Sequence, residues 1–290
     1  MRRKNRLFIA LAALLPLALA ACGDDSSNAD APTDSVPVDT VAPPETTAPP
    51  TTLPSAYEHP GGADELIVRI AYEGGFVPVE VAFLNLPTLL LSGDGHVFVQ
   101  GAVPAIYPGP LLPNIQVASV TEAGIQDLLA LADTHGLLTD VEYTNPTNIA
   151  DAPDTVVAIA ANGETFVHRA YALGINDETD PARKALADFV AAATGDWLNG
   201  PEIGAQEEYT SETYLIRASE AGEYSGDIEP TVVDWPTDVS VRLVDAAECV
   251  AVPAAEVGDL FADANQLTFF AEDGITYQVT AKPQLPGDGC

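Results

Sequence analysis

Hydrophobic positions change their spacing along this chain, and the changes mark out its elements. Arg2, Arg3, Lys4 and Arg6 precede an apolar run over residues 7–19. That run is shorter than the roughly 20 residues that cross a bilayer, and the combination is the make-up of a secretory signal. Residues 23–57 show no apolar periodicity. They are rich in Asp, Ser, Thr and Pro, with Pro43-Pro44-Glu45-Thr46-Thr47-Ala48-Pro49-Pro50 at the centre and no basic residue. Such a composition cannot bury a core and predicts a disordered, extended tether of polyproline II character.

From Glu58 onward the spacing becomes that of folded structure. Residues 65–72 are β-rich with partial alternation, broken by Gly74-Gly75. Residues 88–92 and 96–99 flank Gly93-Asp94-Gly95, where Asp and Gly tolerate positive φ, and predict a hairpin. The proline-rich residues 104–113 are unsuited to a central strand. Over 121–135 the residues Ile125, Leu128, Leu129 and Ala132 recur at helical spacing. Thr121 stands at the N-cap, Glu122 in the first turn and Gly136 at the left-handed position past the end. A second hairpin is expected over 155–160 and 164–170 about Asn162-Gly163. A second helix opens on Asp180 and Pro181, buries Leu186, Phe189, Val190 and Ala193, and stops at Gly195.

Polarity rises around Asn199-Gly200-Pro201, and a further α and β run follows. Residues 214–218 and 239–244 read as strands, and 253–264 as a short helix with Val257, Leu260 and Phe261 inward and Asn265 as its cap. Residues 267–271 and 275–281 make a last hairpin about Asp273-Gly274. Each half thus runs strands, helix, hairpin, and the expected fold class is α+β. It is either two small modules, over 58–200 and 201–290, or one continuous domain.

Composition changes this picture by giving it a location. Leu19-Ala20-Ala21-Cys22 closes the signal and resembles the lipobox of bacterial lipoproteins, in which cleavage leaves a diacylglycerated cysteine at the mature N-terminus. The resemblance implies a signal peptide over 1–21, a lipidation site at Cys22 and a tether over 22–57. Removal of residues 1–21 takes away four of the 11 basic residues and none of the 43 acidic ones. Seven basic side chains then face 43 acidic ones, a net charge of −36. Such a surface repels phosphates, which argues against nucleic acid as a partner and against adhesion to anionic lipid through a basic patch. The expected place is the extracytoplasmic face of the cell membrane, held by the two acyl chains at Cys22. With Cys22 so used, Cys249 and Cys290 remain, and in an oxidising compartment a bridge between them is the simplest pairing.

Chemistry is sparse in the sequence. It holds no Gly-x-Ser-x-Gly elbow, Ser-x-x-Lys, His-Glu-x-x-His, P-loop or Gly-x-Gly-x-x-Gly. His59, His96, His135 and His168 are scattered and read as tether end, exposed strand position, helix C-terminal charge and exposed strand position. Asp94, Asp227 and Asp273 lie outside any calcium-loop spacing. Asp177-Glu178-Thr179-Asp180 reads as helix capping, and Trp197 and Trp235 as packing residues rather than a sugar platform. No catalytic, cofactor-binding or metal-ligating residue is assigned. Were catalysis to occur, His96 or His168 would be its base.

Tyr72-Glu73-Gly74-Gly75-Phe76-Val77-Pro78, Ser92-Gly93-Asp94-Gly95 and Ile106-Tyr107-Pro108-Gly109-Pro110 join the lipobox, the tether and a tail with Pro283-Gln284-Leu285-Pro286 before Cys290. In this combination the chain resembles uncharacterised lipoproteins of actinobacteria, whose tail carries Pro-Leu-Leu-Pro before a final Cys. The resemblance brings no catalytic residue. The resulting expectation is a lipid-anchored, non-catalytic surface or binding module whose partner is a cell-envelope protein or polymer. The alternative is a cell-envelope hydrolase.

Overall fold

The strands expected at the start of the folded part pair into the middle of a seven-stranded sheet. In chain order it is built from β1 (Leu66–Glu73), a short helix α1 (Val79–Phe83), β2 (Leu89–Ser92), β3 (His96–Gln100), β4 (Ile115–Ser119), helix α2 (Glu122–Thr134), β5 (Asp154–Ala161), β6 (Glu164–Tyr171), helix α3 (Pro181–Ala192) and β7 (Glu207–Glu208). The strand order is β6-β5-β1-β2-β3-β4-β7, and every pair is antiparallel. This computed structural model describes residues 57–175 and 178–290. The signal peptide over 1–21, Cys22 and tether residues 23–56 lie outside the described residues. Tyr57, at the tether's end, docks on α2: its N–H donates to Gln126 Oε1 at 2.9 Å and its hydroxyl to Asp133 at 2.9 Å.

Helices α2 and α3 cover one face of this sheet, where Ile125, Leu128, Leu129, Leu186 and Phe189 pack on Ile67, Leu89, Leu91, Val97 and Val157. On the other face Leu90 and Phe98 meet Ile115 and Leu285. Leu89-Leu90-Leu91 therefore reads as an unbroken apolar run because both faces of β2 are buried. The helix ends follow from local chemistry. Thr121 Oγ1 accepts from Gly124 N–H at 3.2 Å, and Asp180 accepts from Ala182 and Arg183. Gly136 closes α2 at φ 70°, with Leu137 N–H reaching Ala132 O and Gly136 N–H reaching Asp133 O. Asn162 and Gly163, at φ 55° and 78°, turn β5 into β6 as expected. Gly195 does not end the second helix. A π turn carries it over Ala193–Trp197, because Trp197 packs beside α2 and donates its indole N–H to Gly124 O at 2.8 Å.

The second sheet comprises β8 (Thr213–Glu220), β9 (Thr231–Asp234), β10 (Val250–Pro253), helix α4 (Ala254–Ala262), β11 (Thr268–Glu272) and β12 (Ile275–Pro283). Its order is β10-β8-β12-β11-β9, with only the β9–β11 pair parallel. Phe261 of α4, Phe270 and Trp235 pack edge and face around a core that also holds Ile216, Val252 and Val279. Residues 239–244 form no strand. Their backbone is taken by side chains: Val241 O accepts from Trp235 Nε1 at 2.9 Å, and Leu243 N–H donates to Glu272 at 2.9 Å, which starts a 3-10 turn at Leu243–Asp245. Each sheet receives a leucine from the far side of the chain. Leu111, before β4, enters the second core, and Leu285, after β12, lies under the first sheet. The described residues from Tyr57 onward belong to one compact unit, with the fold class α+β.

Candidate functional site

After Gly74-Gly75 the chain carries Phe76-Val77-Pro78 into α1, whose Pro78 cap makes no side-chain bond and which buries none of its five residues. Phe76 is 90% exposed and Val81 52%. The proline-rich loop after β3 faces this helix and is likewise apolar and open, with Val103 72% exposed and Ile106 66%. Between α1, this loop and β12 lies a groove of about 400 Å³ walled by Val81, Leu84, Val103, Pro104, Ile106 and Leu112.

The loop is fixed although its side chains are open. Gly101 N–H donates to Asn114 O at 2.9 Å and Asn114 Nδ2 to Ala102 O at 3.0 Å. Further along, Gly109 N–H donates to Gln266 Oε1 at 3.1 Å, Gln266 N–H returns to Gly109 O at 2.9 Å, and Leu111 N–H reaches Ala264 O at 3.1 Å. The polar members of the groove are Glu80, Asn114, Gln266, Gln278 and Thr280, and no Lys, Arg or His lines it. Interaction with the Tyr107 phenol, then desolvation, then the charges of Tyr107 and Asp227, raises the Tyr224 phenol above its ordinary value.

An apolar slot with a set backbone and a polar rim is suited to holding a ligand. The residues that form it escaped sequence reading. The available signal was Phe76-Val77-Pro78-Val79-Glu80-Val81-Ala82-Phe83-Leu84, which is almost wholly apolar yet too short and too irregular to match a strand or helix period.

The histidines occupy four unlike places. His96 stands exposed after the first turn, its Nδ1 3.1 Å from Asp94 Oδ2, while Asp94 Oδ1 accepts from Ser92 Oγ at 2.5 Å. Burial would raise the Asp94 carboxyl, but the Ser92 hydroxyl and the His96 ring hold it below the ordinary carboxylate value. A serine, an aspartate and a histidine thus meet in one turn, but the carboxylate sits between the other two. A hydrolytic triad needs the imidazole on the serine. His59 faces Glu122 at 3.2 Å, and His135 lies 6.4 Å from the Phe189 ring.

His168 departs from its expected exposed position, being only 1% exposed. Its Nδ1 accepts from the Tyr143 hydroxyl and its Nε2 donates to Leu137 O, each at 2.8 Å, which fits a neutral ring. Burial lowers its pKa and pushes the Tyr143 phenol up to about 12. On β6 it shares a face with Phe166 and Ala170, whereas Val167 points to solvent at 60% exposure.

In the acidic run before α3, Asp180 caps the helix and Glu178 pairs with Arg183 at 2.7 Å. Asp177 lies outside the described residues. Trp197 belongs to the first core and Trp235 to the second, so they form no shared platform. Cys249 and Cys290 pair as a disulfide with Cα atoms 5.3 Å apart. Among the described residues no cluster of three His, Cys, Asp or Glu could hold a metal ion, and no helix is long and apolar enough to cross a membrane. No family model, curated protein or solved structure matches this chain.

Proposed function

We propose that this chain is an extracytoplasmic lipoprotein, held to the membrane by a diacylglyceryl group on Cys22, whose folded part docks a cell-envelope partner without transforming it. The exposed apolar groove between α1, the proline-rich loop and β12 carries the docking half of this reading. An unburied apolar patch of this kind on a soluble fold marks an interaction site. The lipobox and tether residues, and the resemblance to actinobacterial lipoproteins, support the anchored half. The alternative, a cell-envelope hydrolase at an unrecognised site, would have His96 or His168 as its base: Asp94 stands between His96 and Ser92, and both ring nitrogens of buried His168 are taken by Tyr143 and Leu137.

Two experiments test the proposal. On fractionation the parent chain should pellet with membranes and the Cys22→Ser chain should not; equal pelleting overturns the anchor. A photo-crosslinker placed at Ile106 should give a discrete, mass-identified envelope adduct in cells, while one at exposed Thr165 should not. Identical adducts from both positions overturn the docking role.

A further inference from the structure

We infer that the groove between α1 and the proline-rich loop receives a basic polypeptide segment that inserts an apolar side chain, an inference that rests on the docking function proposed above. Three features of the chain select a cationic occupant. From Glu58 onward 37 acidic residues stand against seven basic ones. Six of those seven, all but Arg217, are engaged with carboxylates. Negative charge is therefore in large uncompensated excess, and it draws in positive partners over a Debye length of about 8 Å at physiological salt.

The second feature is local. Among the described residues that line the groove there is one carboxylate, Glu80, and no Lys, Arg or His. The third is the hydrogen-bonding character of its wall. Pro104, Pro110 and Pro113 have carbonyls but no N–H, so this wall offers acceptors in excess of donors. Exposed Gln278 adds one amide able to pair with a main chain. Lys and Arg are donors without acceptors, and their aliphatic stems lie well along apolar walls. A second copy of this chain brings the same negative excess and is repelled, and so is an anionic bilayer.

The test uses the full chain in nanodiscs of neutral phosphatidylcholine, with a labelled decapeptide of four lysines around two leucines as probe. Matched peptides carry Glu for Lys or Ser for Leu, and binding is read by fluorescence anisotropy against empty nanodiscs. The Lys/Leu peptide should bind, and the double variant Val81→Ser with Ile106→Ser should weaken it at least tenfold. Glu80→Gln should weaken it a few-fold, Ser for Leu about tenfold, and the Glu/Leu peptide should not bind.

Binding of the Lys/Leu peptide that the double variant leaves unchanged would mean diffuse attraction to an acidic surface and would overturn the inference. Groove-dependent binding of the Glu/Leu peptide, or no binding of any peptide, overturns the basic partner class. The Ile106 crosslinking result above then decides separately whether the docking reading stands. Protection of residues 76–84 from hydrogen exchange by nanodisc lipid alone, or concentration-dependent dimers lost in the double variant, would assign the groove to a bilayer or to a second copy and overturn the inference.

Discussion

Helix α2 buries Ile125, Leu128, Leu129 and Ala132 against the seven-stranded sheet, whereas α1 buries none of its five residues although Val79, Val81 and Phe83 are among them. Both segments carry a majority of apolar residues, α1 the larger share, and they are opposite in use. In α2 the apolar positions fall at i, i+3, i+4 and i+7, so a single stripe meets the sheet, and Thr121 and Gly136 fix where it begins and ends. In α1 five residues make barely more than one turn, too short to present a stripe, and Val79 and Val81 remain 49% and 52% exposed. Burial in α2 holds the fold; apolar surface at α1 is free to hold something else. The contrast is a separation of stability from recognition, and each half of it can be measured.

The largest effect should come from Leu128→Ala. Leu128 is fully buried in the core that the sheet shares with α2 and α3, so truncation removes transfer energy and leaves a cavity, a loss of about 3 kcal/mol. Urea unfolding of the full chain should show a lower midpoint at an unchanged slope. A loss below about 1 kcal/mol would mean that the α2 face is as loosely held as the α1 face.

His168→Ala comes next, since it acts on the end of the same helix. Its Nε2 donates to Leu137 O, and Leu137 is the residue whose N–H closes α2 on Ala132. Truncation leaves the buried Leu137 carbonyl unpaired and takes the acceptor from the part-buried Tyr143 hydroxyl, at a cost of about 2 kcal/mol. The parent protein should carry the same signature in its pH dependence. Burial depresses the folded-state pKa, so the neutral ring's contribution is complete above the unfolded value of about 6.5. It is lost as pH falls from there through the folded-state value. His168→Ala should flatten that part of the stability curve; an equally steep acid limb in the variant would assign it to other groups.

Salt acts on the acidic surface and on neither helix face. With 37 acidic against seven basic residues from Glu58 onward, screening should relieve repulsion in the folded state. A gain of about 1 kcal/mol would raise Tm by about 2–4 °C between low and moderate NaCl. A flat or falling Tm would show that the charge is too dispersed to oppose folding.

What was legible in the sequence follows the same division. The Thr121 and Asp180 caps, the Asn162-Gly163 and Asp273-Gly274 turns and the α2 stripe depend on residues a few positions apart, so they could be read locally. The π turn through Gly195, the lost strand over 239–244 and the burial of His168 depend on Gly124, Trp235 and Leu137, whose proximity only the folded chain creates. Cys249 and Cys290, by contrast, could be paired from the expected compartment and the cysteine count alone. The groove was illegible for another reason: Val81 and Ile106 look like core residues in any composition, and only packing shows that none of the described segments covers them.

The smallest effect, and the one that decides the comparison, is the stability of the Val81→Ser and Ile106→Ser double variant. Both side chains are more than half exposed, at 52% and 66%, so the folded state gains little from them that the unfolded chain does not already have. Substitutions at such positions fall within about 0.5 kcal/mol of the parent. The backbone that carries Ile106 is held by Asn114 and Gln266 rather than by its own side chain, so the loop should keep its path. Urea midpoints of parent and double variant should therefore coincide while the labelled Lys/Leu peptide is lost. A midpoint shift comparable to that of Leu128→Ala would show that α1 and the proline-rich loop do close over each other as a core, and the contrast between the two helices would then be one of degree.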